Sequence, residues 1–371
     1  GMILTISEGG GKKRFRFLLE SGRQLLGGVG MAEKIMLARN LSTMAKAGLP
    51  LSRSLAVMGR QSRSPALKRV LESVGEDVVK GSAFHITLAK FPHVFPSLFV
   101  AMVKAGEESG KLSEALSLIA AQLERSYGLR KKIRGAMIYP GIVISVMVIV
   151  GILMLMFVVP TLTATFEELN VELPRSTQAI IAVSTFLSDY TVTALLLIVL
   201  VVVSVVMALR SKKGKRSFEW GILRMPVIRE LVKETNAAQT ARTLSSLLSA
   251  GVEVVHALSI TRDVVQNSYF QAVLLEAEKN VERGAPMSEA FAKHENLYPV
   301  LVEEMMAVGE ETGRLSNMLA EIADFYESEV EQKTKDLSSV IEPFLMVVIG
   351  SIVGFFALSM ISPIYSISSG I

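Results

Sequence analysis

The apolar and polar positions of this chain fall into two kinds of stretch. In one kind, apolar residues recur at helical spacing among charges. Ile35, Leu37, Leu41, Met44 and Ala45 form such a stripe, which stops at Gly48, and Leu51, Leu55 and Met58 open the next element. Pro92, Pro96, Gly106 and Gly110 punctuate further helices expected at 97–104 and 112–125, and strand alternation is absent. In the other kind, charge disappears. Residues 137–160, 190–209 and 343–361 contain no Asp, Glu, Lys or Arg. At about 1.5 Å per residue, roughly 20 helical residues cover the hydrocarbon thickness of a bilayer, so each of the three is long enough to span.

The pattern is also written twice. Gly48 recurs as Gly251, Gly81 as Gly284, Pro96 as Pro299, Gly110 as Gly313, Pro140 as Pro343 and Pro160 as Pro363, each pair 203 positions apart. A fixed offset of this length means one domain built twice rather than a solenoid. Each copy is a polar helical stretch followed by one apolar span. Two such units can lie on the same side of a membrane only if something returns the chain between them, and the unpaired stretch 190–209 does so. The duplication is therefore parallel, unlike the inverted repeats that frame midplane sites in many transporters.

Charge fixes the expected orientation. Arg130, Lys131, Lys132 and Arg134 precede the first span, and Arg210, Lys212, Lys213, Lys215 and Arg216 follow the second. The intervening segment carries Glu167, Glu168 and Glu172 against Arg175. By the positive-inside rule the amino terminus and both polar copies are cytoplasmic, and the intervening loop and the tail are external. The expected fold is all-α, with two duplicated cytoplasmic helical bundles and three transmembrane helices. Its parts are a basic Gly-rich arm at 1–30, bundle 1 at 31–136, a span at 137–160, an external loop at 161–189, a span at 190–209, bundle 2 at 210–340, a span at 341–363 and a short external tail at 364–371. The front of the chain has Lys12, Lys13, Arg14 and Arg16 without an apolar run of signal-peptide length after them, so no cleaved signal is expected.

Candidate chemistry is sparse. The chain has no cysteine, which removes disulfides, thiolate catalysis and cysteine-ligated metals. The turn AGEESGK at 105–111 resembles the start of a phosphate loop, but Leu112 stands where magnesium needs a hydroxyl, and adjacent acids repel phosphate. The better account of Gly106 with Gly110, and of Gly309 with Gly313, is a helix-to-helix turn that uses glycine's backbone freedom. For the paired acids Glu107 with Glu108 and Glu310 with Glu311, three readings stand: a solvated turn or acids near the amino end of the next helix, a cation site with oxygen ligands, or a charged partner contact. The four histidines form no zinc motif, no cofactor is implied, and nucleic-acid binding is not expected from a net charge of +4. Glu342 opens the third span where the first copy has Tyr139. It sits either at the interface near Lys333 and Lys335 or in a buried pairing. A permease or channel would need polar residues lining its spans, and a receptor would need a sizeable external domain.

The stretch KIRGAMIYP at 132–140 resembles the signature of the inner-membrane platform proteins of type II secretion systems and type IV pilus assembly machines, with Tyr139 and Pro140 entering the first span. Glu342 and Pro343 resemble its counterpart in the second copy, and LRMPVI at 223–228 resembles the family's entry into the second domain. The turns at Gly48, Gly251, Gly106–Gly110 and Gly309–Gly313 also fit, and the resemblance runs from about Ile35 to Ile367. Many members of that family carry a longer amino-terminal arm. The resemblance implies a non-enzymatic platform in the bacterial inner membrane. It implies a homo-oligomer in contact with lipid, with a hexameric secretion or pilus ATPase, with pilins or pseudopilins, and with other inner-membrane machine components.

Overall fold

The computed structural model describes residues 28–168 and 174–369. The arm at 1–30 falls outside these residues except for its last three, as do Glu172 and the end of the tail. All the regular elements described are helical. The first repeat contains α1 (Met31–Lys46), α2 (Leu51–Gln61), α3 (Pro65–Val79), α4 (Phe84–Ala89), α5 (Ser97–Glu108) and α6 (Leu112–Ala136). The first repeat's span follows as α7 (Ile138–Leu153), a π-turn (Met154–Val158) and the start of α8 (Val159–Glu168), and between the repeats run α9 (Arg175–Asp189), α10 (Thr191–Arg210) and α11 (Lys212–Ile222). The second repeat contains α12 (Pro226–Ser249), α13 (Val254–Val264), α14 (Ser268–Glu282), α15 (Ser288–Ala292), α16 (Val300–Thr312) and α17 (Leu315–Ser369). Helices α2 and α13, and α3 and α14, begin and end at equivalent positions, so the sequence offset is a structural one.

Equivalent helices start by equivalent physics with different residues. The Ser64 hydroxyl accepts from the Leu67 amide (3.3 Å) ahead of Pro65, while Asn267 accepts from the Tyr269 amide (3.0 Å) at the matching place. Each satisfies an amide that the first turn leaves without an intrahelical partner. The cores are matched in the same loose sense. Buried Leu67, Leu88 and Phe99 of the first repeat become Phe270, Phe291 and Val302 in the second, so bulk moves between positions and the space stays filled. Tyr298 replaces Phe95, and its buried hydroxyl meets Thr240 (2.9 Å), which stands where the first repeat has Leu37. Burial pushes the Tyr298 phenol above its usual pKa against the Thr240 hydrogen bond, so it stays neutral.

The chain forms two compact units. One gathers the first repeat up to Leu129 together with Lys233–Glu327, so both polar bundles share a single unit. The other gathers Arg130–Val232 and the segment from Ser328 onward. It contains the apolar stretches of three helical runs long and apolar enough to cross a membrane, Leu112–Phe166, Thr191–Arg210 and Leu315–Ile361. Their side chains are unsheltered, with Leu200 at 67% and Leu358 at 74% exposure, which suits a lipid solvent and not water. The stretch 161–189, expected as a loop, is helical on both sides of residues 169–173. There α9 donates from Ser184 to the carbonyl of Leu155 (2.5 Å), inside the π-turn, and from Thr177 to the carbonyl of Ser359 (2.5 Å). A π-turn disturbs the helical ladder, and a hydroxyl donor satisfies the carbonyl it loosens. Pairs between Lys132 and Glu331, and between Lys333 and Glu230, add charge contacts to the same unit.

Both repeats have a close backbone approach near the end of α5 or α16. A Cβ built on Gly106 would lie 2.4 Å from Cβ of Ala115, and one on Gly309 would lie 2.9 Å from Cα of Leu315. Gly110 and Gly313 then reverse the chain at φ of 72° and 68°, a region that L side chains enter at a cost. Gly106→Ala is expected to destabilise the bundle by about 1–3 kcal/mol through overpacking. Gly128→Ala, with nothing within 4 Å of its Cβ, is expected to be neutral or mildly stabilising. Thermal unfolding of both full-length variants in detergent checks this, and equal melting temperatures would contradict it.

Candidate functional site

The two acidic turns have the same internal geometry. The carboxylate of Glu107 accepts from the amides of Phe84 (2.7 Å) and His85 (3.1 Å) and lies 2.6 Å from Nδ1 of the His85 ring. At the equivalent place Glu310 accepts from the amides of Met287 (2.7 Å) and Ser288 (3.2 Å) and from the Ser288 hydroxyl (2.6 Å). Each acid thus tethers the start of a short helix, α4 or α15, to the end of α5 or α16. The acids do sit at a helix amino end, but at that of an earlier helix rather than the one that follows. Burial works to raise the pKa of Glu107, and the hydrogen bonds from the His85 ring and the two amides outweigh it, leaving the carboxyl below its usual range. The outer members of each pair, Glu108 and Glu311, are exposed, and Glu108 lies 3.8 Å from Lys104. Among the described residues, no three His, Asp or Glu side chains are grouped to hold a metal ion.

A second cluster joins the repeats. The buried guanidinium of Arg242 on α12 donates to both carboxylate oxygens of Glu327 (2.8 and 3.0 Å) and to Asp324, both on α17. Burial disfavours its charge, but Glu327 and Asp324 more than compensate and raise its pKa further. The first repeat reaches in from α6. Arg125 pairs with Asp324 and lies 3.7 Å from Glu327, while Gln122 donates to Thr243 (3.4 Å) and accepts from Ser246 (2.9 Å). Burial would raise the pKa of Asp324, but Arg242 and Arg125 hold it below the usual carboxylate range. The first repeat's version of this ion pair, Arg39 with Glu124, lies open to solvent, with each side chain more than half exposed. A cavity of about 680 Å³ continues the inter-repeat seam between Ala101, Ala105 and Glu108 on one side and Gly251, Glu253 and His256 on the other.

The copies also differ between their second and third helices. Gly59 and Gly75 of the first repeat leave a groove of about 540 Å³ floored by Leu55, Ala56 and Leu71. In the second repeat these positions are Arg262 and Glu278, whose ion pair (2.5 Å) occupies the corresponding place. The offset made this difference readable from sequence, as two glycines facing a charge pair, but glycines that break no pattern draw no notice.

Of the other predicted residues, Gly48 and Gly251 turn the chain at φ of 77° and 86°. Tyr139 is half exposed and Pro140 is buried just past a one-residue interruption at Met137, where α6 gives way to α7. Glu342 and Pro343 lie exposed within α17, which is unbroken there. Lys333 and Lys335, expected near Glu342, pair with Glu230 (3.1 Å) and Glu331 (3.4 Å).

A family model described as type II secretion system (T2SS), protein F, matches the chain twice, over residues 37–160 and 240–363. Both limits of the two matches differ by the repeat offset. The Type IV pilus assembly protein PilC of Thermus thermophilus is 37% identical over 340 residues, covering 92% of this chain and 84% of that protein. A protein of the same name from Myxococcus xanthus is 34% identical over 345 residues, covering 93% and 82%. The Type II secretion system protein F of Aeromonas hydrophila is 32% identical over 342 residues, covering 92% and 88%.

The two arginines give a comparison with its own control. Arg242→Ala leaves the largely buried Glu327 without its two-pronged partner, while the half-exposed Asp324 keeps Arg125, and is expected to cost about 1–3 kcal/mol, whereas Arg39→Ala, at an exposed pair, is expected to cost less than about 1 kcal/mol. Denaturant unfolding of the full-length variants measures both, and similar losses would refute the assignment. For Glu107, a lowered native pKa means that its contribution is complete above the ordinary carboxylate range and is lost as pH falls through the native value. Glu107→Gln should lower the melting temperature near pH 7 and leave a shallower decline between about pH 5 and 3, the region of carboxylate titration. A decline as steep as that of the parent chain would contradict this.

Proposed function

The chain belongs to the type II secretion system protein F family, and from that premise we propose that it is a non-enzymatic inner-membrane platform. In this reading it couples a separate cytoplasmic hexameric ATPase to the assembly of pilins or pseudopilins, and so to secretion or pilus biogenesis. The observation that carries the proposal is the double family match, one per repeat, over residues 37–160 and 240–363, each taking in a polar bundle and the apolar span after it. In this reading both repeats and the amino terminus face the cytoplasm and the carboxyl end lies outside, which the basic flanks of the first two spans support.

The polar bundles suit mechanical work better than chemistry. Two repeats tied through Arg242, Asp324 and Arg125 form one body for a motor to push. Helix α17 runs unbroken from Leu315 to Ser369, a continuous connection from the second repeat into its span. The first repeat reaches its span through the interruption at Met137 and the π-turn, a more yielding connection. On this reading Tyr139 and Pro140 mark the compliant entry and Glu342 and Pro343 the stiff one, and the spans guide pilin subunits from the bilayer.

Affinity capture of the full chain from bacterial membranes is expected to bring down an ATPase of the secretion or pilus type together with pilin or pseudopilin. Deleting the gene should abolish fibre assembly. Normal fibres in the deletion strain, or capture that retrieves neither component, would refute the proposal.

A further inference from the structure

The two polar repeats dock head to tail. The first contributes Ala101, Ala105 and Glu108 of α5 with Gln122 and Arg125 of α6. The second contributes a different surface: Gly251, Glu253 and His256 at the start of α13, Thr243 and Ser246 of α12, and Asp324 of α17. Moved back by the repeat offset, this second surface falls on Gly48, Pro50, Arg53, Asn40, Thr43 and Ala121. None of these is used by the first repeat for docking. A two-fold contact would use one patch twice, whereas here two different patches meet, so the contact is heterologous. Each repeat therefore has one patch engaged and the other open.

The open patch of the second repeat carries Glu304, Val308 and Glu311 on α16 and Phe325 on α17, all exposed, with Val308 at 48% and Phe325 at 47%. The open patch of the first carries Arg53, Pro50 and Thr43, also exposed, and the exposed pair Arg39 with Glu124. We propose that these two patches bind each other between two copies of this chain, repeating between molecules the contact that the repeats make within one. The proposal goes beyond the platform reading and rests only on the repeat geometry.

Charge and apolar surface both suit that occupant. In the internal seam His256 lies across from Ala101 and Glu108. In the outward version Arg53 takes the place of His256, and Glu304 and Glu311 take the places of Ala101 and Glu108. A cation then meets two acids, where like charges would have forbidden the contact. Phe325 takes the place of Gln122, so an aromatic ring now exposed would be covered where the internal seam uses a buried amide. The duplication is parallel, with each repeat leading into its own span. Heterologous contacts close into rings or continue as open arrays, so the assembly is polar around its axis and not a back-to-back pair.

The absence of cysteine makes the test direct. Two differently tagged full-length chains, one Arg53→Cys and one Glu311→Cys, are co-expressed and treated in membranes with a short thiol crosslinker. The internal control is a single chain with Glu108→Cys and His256→Cys, which should crosslink within itself. A mixed product joining the two tags is expected, with neither single variant linking to its own kind. Phe325→Arg and, separately, Val308→Arg should each reduce the mixed product about fivefold or more, the scale of an interface hot spot, while the same substitutions leave the internal crosslink intact. Self-linking of either single variant would overturn the proposal in favour of a two-fold dimer. So would failure of the mixed product while the control closes, linkage of these cysteines only to a different protein, or a mixed product unaffected by both substitutions.

Discussion

The polar half of this protein depends on one buried guanidinium. Arg242 is taken out of water, a step that costs several kcal/mol unless carboxylates of good geometry surround the charge. Glu327 meets it in a two-pronged arrangement and Asp324 completes the set. Asp324 also accepts Arg125 from the other repeat. The residue that stabilises the second bundle internally is thus the residue that recruits the first. The first repeat has Ala121 in place of Asp324, so only the second repeat offers this acid to its neighbour, beside the contacts of Gln122 with Thr243 and Ser246.

Much of this fold was legible in the sequence because its signals are physical necessities. Uncharged runs of bilayer length, glycines where φ must be positive, and prolines at helix starts all recurred at one offset, and α2 with α13 and α3 with α14 begin and end where that offset places them. The stretch 161–189 was less legible. It reads as a polar link, yet α9 is helical and packs through Thr177 and Ser184, hydroxyls that carry no periodic signal. The acidic turns were found but not explained. Glu107 and Glu310 cap α4 and α15, helices that lie more than twenty residues earlier in the chain, and no local pattern links an acid to the helix start it will reach.

Tethering explains why two copies became one chain. Fusion converts association of two bundles into an intramolecular event at high effective concentration, so the seam can be small and polar, as Gln122, Thr243 and Ser246 make it, and still hold. It also frees each copy to diverge, since neither must satisfy both sides of a symmetric contact. The glycines at 59 and 75 opened a groove that Arg262 and Glu278 close in the second copy, and the span entries took on Tyr139 in one copy and Glu342 in the other. What fusion does not remove is the other face of each repeat. A head-to-tail contact leaves complementary patches at both ends however many copies are joined, and only ring closure or a further partner covers them. The exposed Phe325 and Val308 are the physical residue of that topology.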